Sequence, residues 1–585
     1  MKRDRREALQ RVGWSFVAAA VPASTLSAAP NRPPPPPPPS PSPSWTIGGN
    51  VGIFDWAPSP FVDVVKSSRG FGLRGSYEED ITGALARDAA AWPLGPSQIV
   101  ITAVGERPGT EWPTGVWKGR YRGPGRIVGV EADANGTTPS LLVGGSIQNL
   151  VRVRNATTGV ETVTFDWMVD ATPMLILEFD GAVSDLRIVR PGFDLDNHPL
   201  LHPEALDYYK RFHTLRFLDF MGQNSSDNTS EASFKTRVTP GKWHGRKSWE
   251  AMAAFFTACF NAPGSKVKGV WWNVPWRYQE ADCLSLGKLL KPLLPKASLK
   301  FPEFSNELWN SGYWWKWNHF LARAQNPADV DYRLVDTPPA PDQWVRLARL
   351  WALQSARMAR AMKSAFQQEF NNTLFPVMAG QFWRREFSTE PGLEWLARTE
   401  QVSAFKGGIN SYIGSLSAAP YIQGSETEMD TAPTPEALLA GLRSGYQNSL
   451  ALALPLMAAW KTLQSTYGIK RLDAYEWQLH LHGQKNVEVK LAATLSTDAE
   501  TLLIDQARAL RDAGFQALCF LSVSPQTVGN VLKRDDGGIP ILDNDGNFIW
   551  EPFIHTFAWP LNTSHAGPRT AKGRAVDALV VETKQ

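Results

Sequence analysis

Cysteine is scarce: the 585-residue chain carries three, Cys259, Cys283 and Cys519. They are widely spaced and form no C-x-x-C pair, which argues against a disulfide framework or a zinc knuckle and leaves three buried free thiols as the plain expectation. Excess charge is also missing. A formal net charge of +3, with 20% charged residues, gives no footprint for a nucleic-acid or membrane-surface partner. The nine histidines show no H-E-x-x-H or comparable spacing, so no metal or other cofactor is expected. Past the amino-terminal segment no apolar run approaches the roughly 20 residues that cross a bilayer, so no stable membrane span is expected. The stretch DNDGNF (543–548) lacks the full pattern of a calcium loop and reads as a hairpin turn.

What is present in excess is tryptophan, with 24 residues. Indole fills cores, but its flat apolar face also suits the C–H face of a sugar ring. The length exceeds one ordinary core, so at least two structural units are expected. Residues 1–29 begin with a basic stretch (KRDRREALQR), continue with a modest apolar run and end in small residues. They read as an export signal, and Arg5-Arg6 followed by Leu9 fits the twin-arginine type; a disordered basic tail is the other reading. The product would then be periplasmic or secreted. Residues 30–44 are a proline-rich linker, stiff and without internal hydrogen bonds.

Two textures follow. Residues 45–89 are expected to hold the first β–α unit of a barrel, with its strand at 51–54. Residues 90–190 carry short strands separated by Gly, Pro and Asn turns, the pattern of an antiparallel β-sandwich, either inserted or simply N-terminal. From 191 to 560 strand-like and helix-like segments alternate. Strand candidates fall in 215–222, 267–276, 299–310, 375–382, 402–414, 471–480 and 515–524, with a long helix at 342–370. The fold class expected is α/β, a (β/α)8 TIM barrel with the additional sandwich, and 561–585 is expected to be a tail.

In such a barrel the C-terminal strand ends carry the active site. EFSNELWN (303–310) ends one strand candidate and places Asn306 and Glu307 at that rim; Glu303 would lie deeper. LDAYEWQLHL places Glu476, beside Tyr475, at a second rim position. By count these are strands four and seven. A carboxylic acid at one and a carboxylate at the other can serve as proton donor and nucleophile about 5–5.5 Å apart. Should the register be off by a strand, Asp55, Asp219 or Asp473 is the substitute.

The blocks DWAPSPFVDVVKSSRGF, GRYRGPGRIVGV, LRFLDFMGQNSS, WWNVPW, EFSNELWN and AYEWQLHL resemble the retaining glycoside hydrolases of the large (β/α)8 superfamily. More narrowly, they are similar to bacterial secreted proteins described as cellulose-binding or as glycosidases. The resemblance implies Glu307 as acid/base, Glu476 as nucleophile, Asn306 as a substrate contact and Arg216 as the arginine supporting the nucleophile. It also implies a carbohydrate substrate. Trp276, Trp477, Tyr475, Tyr412 and Asn224 complete the expected substrate-binding set. Two departures bear on the substrate: Trp477-Gln478 stands where the narrower group has Gly-Gly, and Trp276 follows Val274-Pro275 where it has His. If Trp477 blocked the sugar site, the chain would be a non-catalytic carbohydrate binder. A merely structural surface protein is the third reading.

Overall fold

The computed structural model of the chain describes residues 45–51, 59–75, 80, 83–102, 115–131, 147–167, 174–218, 220, 248–370, 372–398, 408–481, 485–521, 529–532, 550–553 and 570–583. The expected signal segment 1–29, the linker 30–44, the hairpin turn at 543–548, Asp55, Asp219 and Asn224 lie outside them.

Eight parallel strands close into a barrel. In order they are Thr46–Asn50, Thr214–Phe217, Gly269–Val274, Leu299–Phe304, Val377–Gly380, Ser415–Ala418, Arg471–Trp477 and Ala517–Phe520, and the last pairs with the first. The third strand, GVWWNV, is buried at every position, as a strand covered on both faces must be. Inside the barrel, glycine makes room. A Cβ on Gly48 would sit 2.7 Å from the Thr214 carbonyl oxygen and 2.9 Å from Cys519 Sγ, and one on Gly269 would sit 2.7 Å from Thr214 Oγ1.

Two expected strands are misplaced. The first is Thr46–Asn50, TIGGN, rather than 51–54. The sixth is Ser415–Ala418, SLSA, rather than part of 402–414. In both cases apolarity pointed to the wrong residues, because the barrel interior there takes small or polar side chains. Ser415 Oγ donates to Asp473 Oδ2 at 2.6 Å and Ser417 Oγ to the Asp473 carbonyl at 2.9 Å. Asp473 also pairs with Arg471 and accepts from the Ala517 amide, a structural role that removes it as a substitute catalyst.

Between the first and second barrel strands the chain forms two four-stranded antiparallel sheets. One begins at Phe71–Gly72, so the first unit expected over 45–89 reaches only as far as a single helical turn, Val64–Ser67, before this sheet starts. Val160–Trp167 alternates strictly, with Val163, Phe165 and Trp167 turned inward. Those residues share one buried cluster with Trp117, Tyr121, Ile99, Leu177 and Phe179, contributed by both sheets.

The helical layer is built on the long helix Gln343–Phe366, capped by Asp342, whose Oδ1 accepts from the Trp344 and Val345 amides at 2.8 Å. Gly287 lets helix Glu280–Leu290 approach it closely: an added Cβ would lie 2.6 Å from that of Ala365. The expected tail is in part a barrel helix. Ala571–Glu582 buries Ala575, Val576, Leu579 and Val580 in the main core, and Glu582 pairs with Arg508 and Arg511 of helix Thr497–Asp512. Its apolar face requires a neighbour, which a free tail would not supply. Cys259, Cys283 and Cys519 are free and buried. No described helix is long and apolar enough to cross a membrane.

Candidate active site

Four strand ends meet at one guanidinium. Arg216, on the second barrel strand, is completely buried. Its Nη1 donates to Asn50 Oδ1 at 2.7 Å and to Glu476 Oε1 at 2.8 Å. Its Nη2 donates to Asn306 Oδ1 and to Glu303 Oε2, both at 2.9 Å, and Nε reaches the same Glu303 oxygen at 3.2 Å. The rigid five-donor fork of arginine is what allows one side chain to tie the first, second, fourth and seventh strands together. Glu303 also accepts from Trp271 Nε1 at 2.8 Å. Burial raises the Glu303 carboxyl above its usual range while Arg216 pulls it down. Burial alone would lower Arg216, but Glu303 and Glu476 together raise it above its ordinary value.

The seventh strand carries a bulge. Ala474 pairs with Leu518 and Trp477 with Phe520, so Tyr475 and Glu476 both stand opposite Cys519. An extra residue interrupts the in–out alternation of a strand. Tyr475 and Glu476 therefore both face inward, where a regular strand would have turned Glu476 outward. Glu476 is buried, and its Oε2 accepts from the Tyr421 hydroxyl. Burial pushes the Glu476 carboxyl up to about 7. Arg216 works against the rise, Glu307 adds to it, and the Tyr421 hydrogen bond again lowers it.

Glu307 follows the fourth strand in an unusual turn. Ser305 (φ 62°) and Glu307 (φ 46°) both occupy the left-handed region without being glycine. The half-buried Glu307 carboxylate accepts from the Tyr475 hydroxyl at 3.1 Å and from Asn310 Nδ2 at 2.8 Å. Burial and the neighbouring carboxylates hold Tyr421 and Tyr475 well above the usual phenol range, so both hydroxyls remain donors.

Among the expected residues, Glu307, Glu476, Asn306, Arg216 and Tyr475 come together. Arg216 and Tyr475 are fully buried, so they address a substrate only through the carboxylates they hold. Three others do not join the site. The bulge turns Trp477 outward into the main core, where its ring meets Phe520 edge-on at 5.2 Å. Trp276 is also core, packed edge-on against His319 and Phe320 at ring distances of 5.1 and 6.4 Å. Tyr412 is buried ahead of the sixth strand, at the opposite end of the barrel, because that strand begins only at Ser415.

Sequence reasoning missed Asn50 and Tyr421. Asn50 closes the glycine-rich first strand, and its Nδ2 donates to the carbonyls of Tyr475 and Phe520 at 3.0 and 3.1 Å. Tyr421 follows the misplaced sixth strand; a correct strand would have put it at the rim. Its ring lies against His480 at 5.2 Å, and its carbonyl accepts from Trp383 Nε1 at 3.0 Å. Half-buried Trp309 flanks Tyr475 at 6.1 Å. Among the described residues no group of three or more His, Cys, Asp or Glu could hold a metal ion.

No protein-family model matches the chain, and no curated protein matches it. Solved structures do. The arabinose-bound GH51 α-L-arabinofuranosidase MgGH51 is 10% identical with a TM-score of 0.38, covering 83% of this chain and 76% of its own. PbGH5A, a glycoside hydrolase family 5 enzyme from Prevotella bryantii B14, is 11% identical with a TM-score of 0.31, covering 57% and 84%. A β-glucosidase from Thermotoga maritima is 10% identical with a TM-score of 0.28, covering 54% and 75%.

Proposed function

We propose that the chain is a glycoside hydrolase that cleaves β-glycosidic bonds of a polysaccharide or oligosaccharide by double displacement, with Glu476 as nucleophile and Glu307 as acid/base. The observation that carries the reading is the unequal support given to two carboxylates that meet at one barrel mouth. Glu476 accepts from a guanidinium and a phenol, and a charged donor favours the ionised form a nucleophile needs. Among the described residues Glu307 accepts only from neutral donors, and it is partly open to solvent, which suits a group that must give and take a proton.

Glu476 attacks the anomeric carbon as the bond to the leaving oxygen breaks, and the Glu307 proton goes to that oxygen. Water then attacks the glycosyl–enzyme ester, Glu307 takes its proton and Glu476 departs. Burial and the nearby Glu307 raise the Glu476 carboxyl to about 7, while Arg216 and the Tyr421 hydrogen bond oppose that rise and favour the ionised form that attacks. Arg216 occupies Asn306 Oδ1, so the amide N–H of Asn306 is the group offered to the sugar 2-hydroxyl.

The competing idea is a non-catalytic carbohydrate binder, with the sandwich binding and the barrel inactive. It expects Glu307 and Glu476 to point apart or to be blocked by Trp477, and it is disfavoured by the Trp477 ring packing in the main core. The same reading takes the two antiparallel sheets as a β-sandwich domain bracing the barrel and residues 1–29 as an export signal. The test is hydrolysis of a panel of β-linked polysaccharides, with the product anomer followed from the first turnovers. Glu307→Gln and Glu476→Gln should each lose about a thousandfold in rate. Activity surviving in both variants rejects the pair, and an inverted first product rejects double displacement.

A further inference from the structure

We propose that Lys316 is a positioning residue for the proton donor: its ammonium clamps the Asn306 carbonyl and so sets the turn that presents Glu307. This rests on the reading of Glu307 as acid/base. Lys316 lies in the first turn of helix Trp314–Gln325 and is completely buried. Its Nζ donates to the Asn306 carbonyl oxygen and sits 4.2 Å from the centroid of the Tyr313 ring. A buried ammonium is costly to desolvate, so it persists where its contacts are well formed.

The position it holds is the one that needs holding. Asn306 lies between Ser305 and Glu307, both in left-handed backbone that non-glycine residues adopt only when their surroundings enforce it. Arg216 fixes the Asn306 side chain at 2.9 Å, and Lys316 fixes its main chain. The path back to Lys316 is a run of short turns: the Asn310 amide donates to the Glu307 carbonyl at 3.1 Å, and the Tyr313 amide to the Asn310 carbonyl at 3.1 Å. Asn310 in turn donates its side-chain amide to Glu307 Oε2. The ring beneath the ammonium and the carboxylate it positions thus belong to one compact loop.

A positioning role for an acid has a signature that a general structural role lacks. A leaving group that departs unaided does not need the proton, whereas a poor one does. The experiment compares kcat/KM for 2,4-dinitrophenyl and methyl β-glycosides of gluco, galacto, manno and xylo sugars, using wild type, Glu307→Gln and Lys316→Met. Lys316→Met should lose about ten- to a hundredfold on the methyl glycoside and less than about threefold on the dinitrophenyl glycoside, a weaker copy of the Glu307→Gln pattern. Equal loss on both substrates, or loss on neither, overturns the proposal while a split in Glu307→Gln leaves the acid assignment intact. No split in Glu307→Gln, or a wild type that cleaves none of these glycosides, overturns the functional reading and this inference together. If Lys316→Met does not fold, Tyr313→Leu keeps the ammonium, removes the ring beneath it and is judged by the same split.

Discussion

Tyr475 and Glu476 are consecutive residues whose side chains both face the barrel mouth: the Tyr475 hydroxyl donates to Glu307 at 3.1 Å while Glu476 accepts from Arg216 at 2.8 Å. Two neighbours on one strand cannot normally do this. The bulge opposite Cys519 makes it possible, and one strand thereby supplies one carboxylate and the hydrogen-bond donor to the other.

The two phenols should therefore be separable by kinetics. Tyr421→Phe removes a donor from Glu476, and Tyr475→Phe removes one from Glu307. Each should lower kcat by about ten- to a hundredfold, the worth of a hydrogen bond to a charged group. Only Tyr421→Phe should move the acid limb of the pH–rate profile upward, because that hydrogen bond lowers the Glu476 carboxyl. A profile shifted equally by both variants would contradict the pairing.

Stability should carry the mark of Glu476. Its carboxyl is lifted from 4.5 to about 7, so the folded state binds this proton more tightly than the unfolded chain does. The stabilisation from that proton is complete below pH 4.5 and is lost as pH rises through about 7. Thermal denaturation of wild type and Glu476→Gln, which cannot titrate, should show wild type losing ground across that window and a constant difference above it. A difference independent of pH would show that the carboxyl is not raised.

Arg216→Lys keeps the charge and loses the fork. A single ammonium cannot serve Asn50, Asn306, Glu303 and Glu476 at once, so buried carboxylates are left under-supported. The expected cost is about 3 kcal/mol or more, in the range for breaking a buried ion pair, and chemical denaturation measures it. A near-neutral result would place the convergence of these groups in error.

Trp477→Ala distinguishes core from cleft. A fully buried indole should cost about 3–5 kcal/mol on truncation, with no selective rise in KM at temperatures where the variant is folded. A raised KM with unchanged melting temperature would return Trp477 to the sugar site.

Much of this was legible in one dimension. The alternation of apolar strand and amphipathic helix after residue 200 is written in side-chain period, and it predicts a barrel because parallel strands need helical crossovers. EFSNELWN and AYEWQ place Glu307 and Glu476 at strand ends by composition and spacing alone. Misreadings arose where hydrophobicity stopped reporting position. TIGGN and SLSA are barrel strands with almost no apolar signal, since close packing and the Asp473 hydrogen bonds decide what fits inside. Losing the second of these put Tyr412 at the wrong end and hid Tyr421.

The sequence by itself determined most of the strand and helix order after residue 200 and put the two carboxylates at strand ends, because periodicity and residue chemistry are local properties; Arg216 was implied only by the family resemblance. Only the tertiary structure decided which side chains face the mouth. A bulge shifts the alternation of the seventh strand by one, sends Glu476 inward and Trp477 outward, and that shift depends on pairing with Phe520, remote in the chain. The Arg216 junction likewise exists only when strands distant in sequence are brought side by side.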